Sequence, residues 1–162
     1  MTMLFLALTI FVGMVTGSPG EVTLSPRHQV APLQTADITV GGVPLTVELA
    51  YQPADTSRGL GYRAGLAPGT GMLFLFAEPA PRSFWMKGMQ FCIDIIWIEN
   101  GAIQGAAESV CPDPAGTADA DLTSYVSPVP VTYVLEVPAG WLDTNGLGVG
   151  APVEGLPSLV VP

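Results

Sequence analysis

The chain has few bases, one histidine and little charge of any kind. Its 162 residues carry five Lys and Arg against fourteen Asp and Glu, a formal net charge of −9. Non-specific nucleic-acid binding needs a basic surface that displaces counterions, so no nucleic-acid partner is expected. The lone histidine, His28, sits in a proline-containing segment near the N-terminus. Without another, the domain lacks the parts for a Ser–His–Asp set, a Cys–His pair or a His/Cys zinc cluster. There is no phosphate loop, no GxGxxG after a strand and no internal repeat. Charged residues make up only 12%, and glycine (19) and proline (16) are frequent, which excludes a coiled coil and a long-helix bundle. The 49% apolar content is too high for a disordered chain. What remains is one small, turn-rich, mainly β domain with a substantial core.

Residues Met3–Val15 form an apolar run of thirteen, broken only by Thr9 and Gly13. This is shorter than the roughly 20 residues that span a bilayer as a helix and suits a secretory signal. Val15 and Gly17 supply small residues before a cut after Gly17. Residues 1–17 are therefore expected to be a signal peptide or an uncleaved membrane anchor, and the protein to be exported. A membrane contact is expected only through that anchor. Residues 18–36, with three prolines and no sustained period, read as a flexible spacer. Two cysteines, Cys92 and Cys111, make a disulfide the expectation in an oxidising compartment. Buried free thiols and a redox pair are the alternatives, although the spacing is not CxxC.

Along the domain, Asp37–Val40 and Val43–Leu49 alternate around Gly41-Gly42, a hairpin signal. Pro53 opens a short helix that ends at Gly59. Met72–Phe76 reads as a strand buried on both faces, Glu78–Arg82 as a turn and Phe84–Met86 as a short strand. Cys92–Ile98 and Ala102–Glu108 pair across Asn100-Gly101. Ser109–Ser127 reads as a long polar loop. Val131–Val137 is a strand, Ala139–Asn145 a short helix and Leu147–Glu154 a final strand.

The ordered residues Arg58-Gly59-Leu60, Tyr62-Arg63, Gly71-Met72-Leu73-Phe74, Phe76, Ser83-Phe84-Trp85-Met86-Lys87 and Ile93-Asp94-Ile95 form a recognisable pattern. It continues through Tyr133-Val134-Leu135-Glu136-Val137, Ala139-Gly140-Trp141, Gly146 and Val149-Gly150. Over about residues 37–155 the chain resembles the domain of unknown function 192 family, leaving 156–162 as a tail. The resemblance implies an α+β, predominantly β fold, a small barrel-like sheet with one or two short helices. It also implies that export is common among relatives, and it implies no reaction. Gly61 stands where relatives usually carry Met, and Cys92 where Pro is common, so the resemblance says nothing about the disulfide.

The candidate ligand-binding residues are Arg58, Arg82, Trp85, Lys87, Asp94 and Tyr125. Trp85 and Lys87 share a strand face with Ser83, and an indole beside cations suits a sugar or an anion. Arg82 could grip a carboxylate or phosphate in bidentate fashion. Asp94 interrupts an apolar strand and requires a partner, with Lys87, Arg58 and Arg82 as candidates or backbone N–H groups as the alternative. Tyr125 belongs to the long loop, taken as a flap. The loop acids Asp113, Asp119 and Asp121 lack calcium-loop spacing, so no metal or cofactor is expected. The reading is a non-catalytic module that binds an anionic or carbohydrate ligand or a cell-envelope partner. The alternatives are a hydrolase using Asp94 as acid or base, in one form paired with Glu136 or Glu108, and an assembly module that binds a protein.

Overall fold

The computed structural model describes residues 32–158. The expected signal segment, most of the spacer with His28, and the last four residues lie outside the described residues. Strands β1 (Thr35–Val40) and β2 (Val43–Ala50) form the expected hairpin. Its turn works because Gly41 and Gly42 both take positive φ, as a tight primed turn demands. Helix α1 (Pro53–Arg58) then carries the chain across to β3 (Thr70–Ala80), which lies parallel to β2. The expected turn at Glu78–Arg82 is a correction: β3 runs on to Ala80, its register shifting between Leu75 and Ala80. Strands β4 (Ser83–Trp85), β5 (Ile93–Glu99) and β6 (Ala102–Val110) follow.

The expected long loop is shorter than Ser109–Ser127. Ser109 and Val110 complete β6, Asp119–Asp121 form a single 3-10 turn, and β7 (Ser124–Val126) pairs with β4. Strand β8 (Val131–Pro138) and helix α2 (Trp141–Asn145) come next. The final strand is also corrected: only β9 (Val153–Glu154) is extended in the sheet, on the edge of β1.

The main sheet has seven strands in the order β6-β5-β8-β3-β2-β1-β9, antiparallel except for β2–β3. It curls into a half-barrel. Residues 150–153 join its edges at one end, where Pro152 bridges Ala102 while its carbonyl accepts from Gly41 N–H. The fold is thus α+β and predominantly β, as the resemblance implied.

Both faces of the sheet are buried, because strict alternation in the central strands sends apolar side chains both ways. Leu73, Leu75, Ile96, Ile98, Leu135 and Val137 fill one face with the β1–β2 hairpin and Leu142 of α2. Met72, Phe74, Ile95, Trp97 and Val134 line the other, covered by Leu60, Met86 and half-buried Phe84. The second face carries the site.

The Cys92–Cys111 disulfide is formed. It closes the open end of the β5–β6 hairpin, next to the paired Ile93 and Val110. A loop closed across a separation of 19 residues is worth about 3 kcal/mol in the chain-entropy model.

Asp94 lies on the first face, fully buried at 0% exposure. Its partners are backbone donors and not the expected cations. Oδ1 accepts from Ser109 N–H (2.7 Å) and Gly140 N–H (3.0 Å), and Oδ2 accepts from Leu142 N–H (3.0 Å). One carboxylate thus ties β5 to the end of β6 and to the start of α2. Asp94→Ala strands three backbone donors, of which the Leu142 N–H is buried and the Ser109 and Gly140 N–H partly so, and a buried donor left unpaired costs about 1–3 kcal/mol. Urea denaturation is expected to show a loss of about 3 kcal/mol or more; a loss below about 1 kcal/mol would contradict this role.

Candidate functional site

Helix α1 presents the first wall. Pro53 starts it without a wasted donor, and Asp55 and Arg58 suit its two ends. Gly59 ends it with φ of 51° and ψ of −136°, a conformation that strains any other residue. A Cβ at Gly59 would also lie 3.3 Å from the Phe74 ring. Leu60 then plugs into the second face at 1% exposure. Tyr62 N–H donates to Gly88 O (2.8 Å), fastening this wall to the connection after β4.

Arg63 anchors the wall to the sheet. Its Nη1 and Nη2 donate to Oε1 and Oε2 of Glu48 at 2.8 and 2.6 Å. This paired geometry lowers the Glu48 carboxyl below its ordinary value and raises the Arg63 guanidinium. Both groups are about one-third exposed, so the pair adds little net stability and mainly fixes position.

The opposite wall comes from the turn before β4 and from β4 itself. Arg82 N–H donates to Ser127 Oγ (2.9 Å), and Ser127 N–H donates back to Arg82 O (2.8 Å). The Arg82 guanidinium lies 3.7 Å over the Phe76 ring, and its Nη2 donates to Glu78 O at 2.6 Å. Partial burial lowers its pKa. Phe84 meets Phe74 edge-on at 4.9 Å. Trp85 is 56% exposed. Lys87 pairs with Asp119 of the 3-10 turn, which raises the lysine pKa through hydrogen bonding and charge.

Between the walls is a cavity of about 350 Å³. Its lining includes Arg58, Arg82, Trp85 and Lys87, together with Phe74 and Glu136. The structure therefore brings four of the expected residues together. The other two lie elsewhere. Asp94 points to the opposite face of the sheet and is closed in by its backbone donors, out of reach of any substrate. Tyr125 is opposite Phe84 in the β4–β7 ribbon and packs on the apolar cover. The expected flap does not close over the cavity: it backs the wall, where β7 pairs with β4, Ser127 holds Arg82 and Asp119 pairs with Lys87.

Glu136 is the residue whose weight sequence reasoning missed. The register sets Glu48 of β2, Met72 of β3, Glu136 of β8 and Ile95 of β5 in one row across the second face. Glu136 is 5% exposed, and its Oε2 has no hydrogen-bond partner among the described residues. Desolvation raises its pKa from 4.5 to about 8, opposed only by the charge of Arg63. The available signal was its parity with Val134 in an apolar strand.

These features define the molecule as a curled β domain with a cation-rimmed, aromatic-walled pocket on its covered outer face. The chain belongs to the DUF192 family, described as an uncharacterized ACR, whose model matches residues 36–155. Two solved structures are similar. One, from Sinorhizobium meliloti and described as a "putative transcription regulator", is 33% identical with a TM-score of 0.69, covering 76% of this chain and 95% of that one. The other, a protein of unknown function from Novosphingobium aromaticivorans, is 28% identical with a TM-score of 0.67, covering 85% and 99%. No curated protein matches the chain.

The buried acid has a stability consequence. Folding holds the Glu136 proton up to about pH 8, whereas the unfolded chain releases it near 4.5. The stability enjoyed below pH 4.5 is therefore lost as pH rises to about 8, at about 1.4 kcal/mol per pH unit. Glu136→Gln removes this slope. Thermal melts are expected to show the variant gaining on the wild type between pH 5 and 8.5; parallel curves would contradict a buried, raised carboxyl.

Proposed function

We propose that the protein is a non-catalytic, exported binding module whose pocket takes a small anionic ligand with a ring face, in the manner of an acidic sugar. One observation carries the reading. Arg58 and Arg82 line an aromatic-walled pocket, and among the described residues neither has a carboxylate within ion-pairing distance. In a chain of net charge −9 with only five bases, two cations left without acids beside one hollow are a local exception. Guanidinium groups hold carboxylates and phosphates, and the exposed Trp85 offers a stacking surface. The cavity volume falls in the range of small-molecule sites. The hydrolase reading loses its acid because Asp94 is sealed and hydrogen-bonded. Export is supported by the apolar N-terminal run and by the disulfide, a bond that persists in oxidising compartments such as the cell envelope.

Thermal-shift screening with acidic sugars, neutral sugars and inorganic phosphate tests this. An acidic sugar is expected to raise the melting temperature in proportion to its occupancy. Trp85→Ala, an exposed substitution, and Arg82→Lys are each expected to weaken binding about tenfold or more. If no anionic probe stabilises the wild type, the proposal fails.

A further inference from the structure

The pocket's floor is chemically different from its rim. The rim is cationic. The floor holds a carboxyl oxygen, Oε2 of Glu136, that is buried and has no partner among the described residues. An unpartnered buried polar atom costs about 1–3 kcal/mol, and proteins retain few of them. The atom has almost no accessible surface of its own, but its side chain lines the cavity, so a ligand that reaches the carboxyl group can supply the missing hydrogen bond.

Burial keeps Glu136 uncharged, and the charged groups around it do not reverse this. From β2, Glu48 faces the same side and is engaged by Arg63. From the segment after α1, that same Arg63 is, among the described residues, the cation whose charge acts on Glu136, and its guanidinium is already held by Glu48 in two hydrogen bonds. β3 offers Met72 and Phe74, and β5 offers Ile95, none of which titrates. Arg58, Arg82 and Lys87 stand around the pocket, and none bonds to Glu136. A protonated carboxyl is both a donor and an acceptor, whereas a carboxylate only accepts. It therefore favours an uncharged oxygen on the ligand and would repel the ligand's anion if ionised.

We infer that Glu136 is the specificity contact at the pocket floor. Its uncharged carboxyl group donates a hydrogen bond to a hydroxyl or carbonyl oxygen of the ligand, while Arg58 and Arg82 hold the ligand's anionic group. This rests on the proposed function and deepens it. The ligand class becomes a hydroxyl-bearing organic acid of monosaccharide size, such as a uronic acid, and not a bare anion or a neutral sugar. Binding is also proton-linked: a base that removes the Glu136 proton converts the donor into a negative charge beneath an anionic ligand.

Isothermal titration with D-glucuronate, whose single charge is constant between pH 6.5 and 9.5, tests the inference. Propanoate serves as the anion without hydroxyls. For the wild type, glucuronate affinity is expected to fall about tenfold or more from pH 6.5 to 9.5, the worth of one lost hydrogen bond near a charge. Glucuronate is also expected to bind more tightly than propanoate at pH 6.5. Glu136→Gln keeps a donor that cannot ionise and is expected to abolish the pH dependence. Glu136→Ala is expected to abolish the preference for glucuronate over propanoate. Circular dichroism verifies that each variant is folded, and ligand-free melts separate stability from binding. A pH-independent wild-type affinity that still requires Arg82 overturns the floor contact and leaves the pocket reading standing. Equal affinity for the two acids, or affinity that rises with pH, does the same. Absence of glucuronate and propanoate binding at both pH values overturns both readings.

Discussion

The outer face of this sheet sets two glutamates in one row and supplies one guanidinium to serve them. Glu48 and Glu136 lie two strands apart, about 10 Å across the sheet. Arg63 closes on Glu48 with both arms. Glu136 is left under the cover of α1 and β4, and among the described residues it has no acid–base partner of its own. In a low-dielectric setting the carboxyl keeps its proton instead of a charge. The site's chemistry follows from that imbalance.

The rest of the fold holds the imbalance in place. The Arg63–Glu48 bridge, the Leu60 plug and the Tyr62–Gly88 hydrogen bond fix α1 over the sheet. The reciprocal hydrogen bonds of Arg82 and Ser127, one to the serine hydroxyl and one between backbones, fix the opposite wall. On the other face, Asp94 binds the end of β6 and the start of α2 to β5. The two buried acids therefore have opposite fates. Asp94 is surrounded by N–H donors and is structural. Glu136 faces a cavity and is available.

Much of this was legible in the sequence where local chemistry decides the outcome. Gly41-Gly42 and Asn100-Gly101 mark hairpin turns because few other residues take positive φ. Pro53 and Gly59 bracket α1 for the reasons helices start and stop. Period-two alternation groups Trp85 with Lys87, and both line the cavity, but so does Phe84 of the other parity, and Lys87 lies beyond the end of β4. What stayed hidden depends on which face of the sheet is covered by what. Alternation puts Asp94 with Ile96 and Ile98, and Glu136 with Val134. It is silent on which of those faces lies beneath α1. Tyr125 failed as a site residue for the same reason, since its loop proved to contain β7, whose pairing with β4 turns the ring onto the cover. Glu136, one acid among eight in the C-terminal part of the chain, carried no mark of its own.

The chemistry of the site depends on Glu136 holding a proton at neutral pH within the folded protein. Carbon-13 NMR of the glutamate side-chain carboxyl groups, assigned by comparison with Glu136→Gln, measures this directly across a pH titration. One resonance is expected to titrate with a midpoint near 8, far from the ordinary 4.5. A Glu136 resonance that titrates near 4.5 in the folded protein would contradict it.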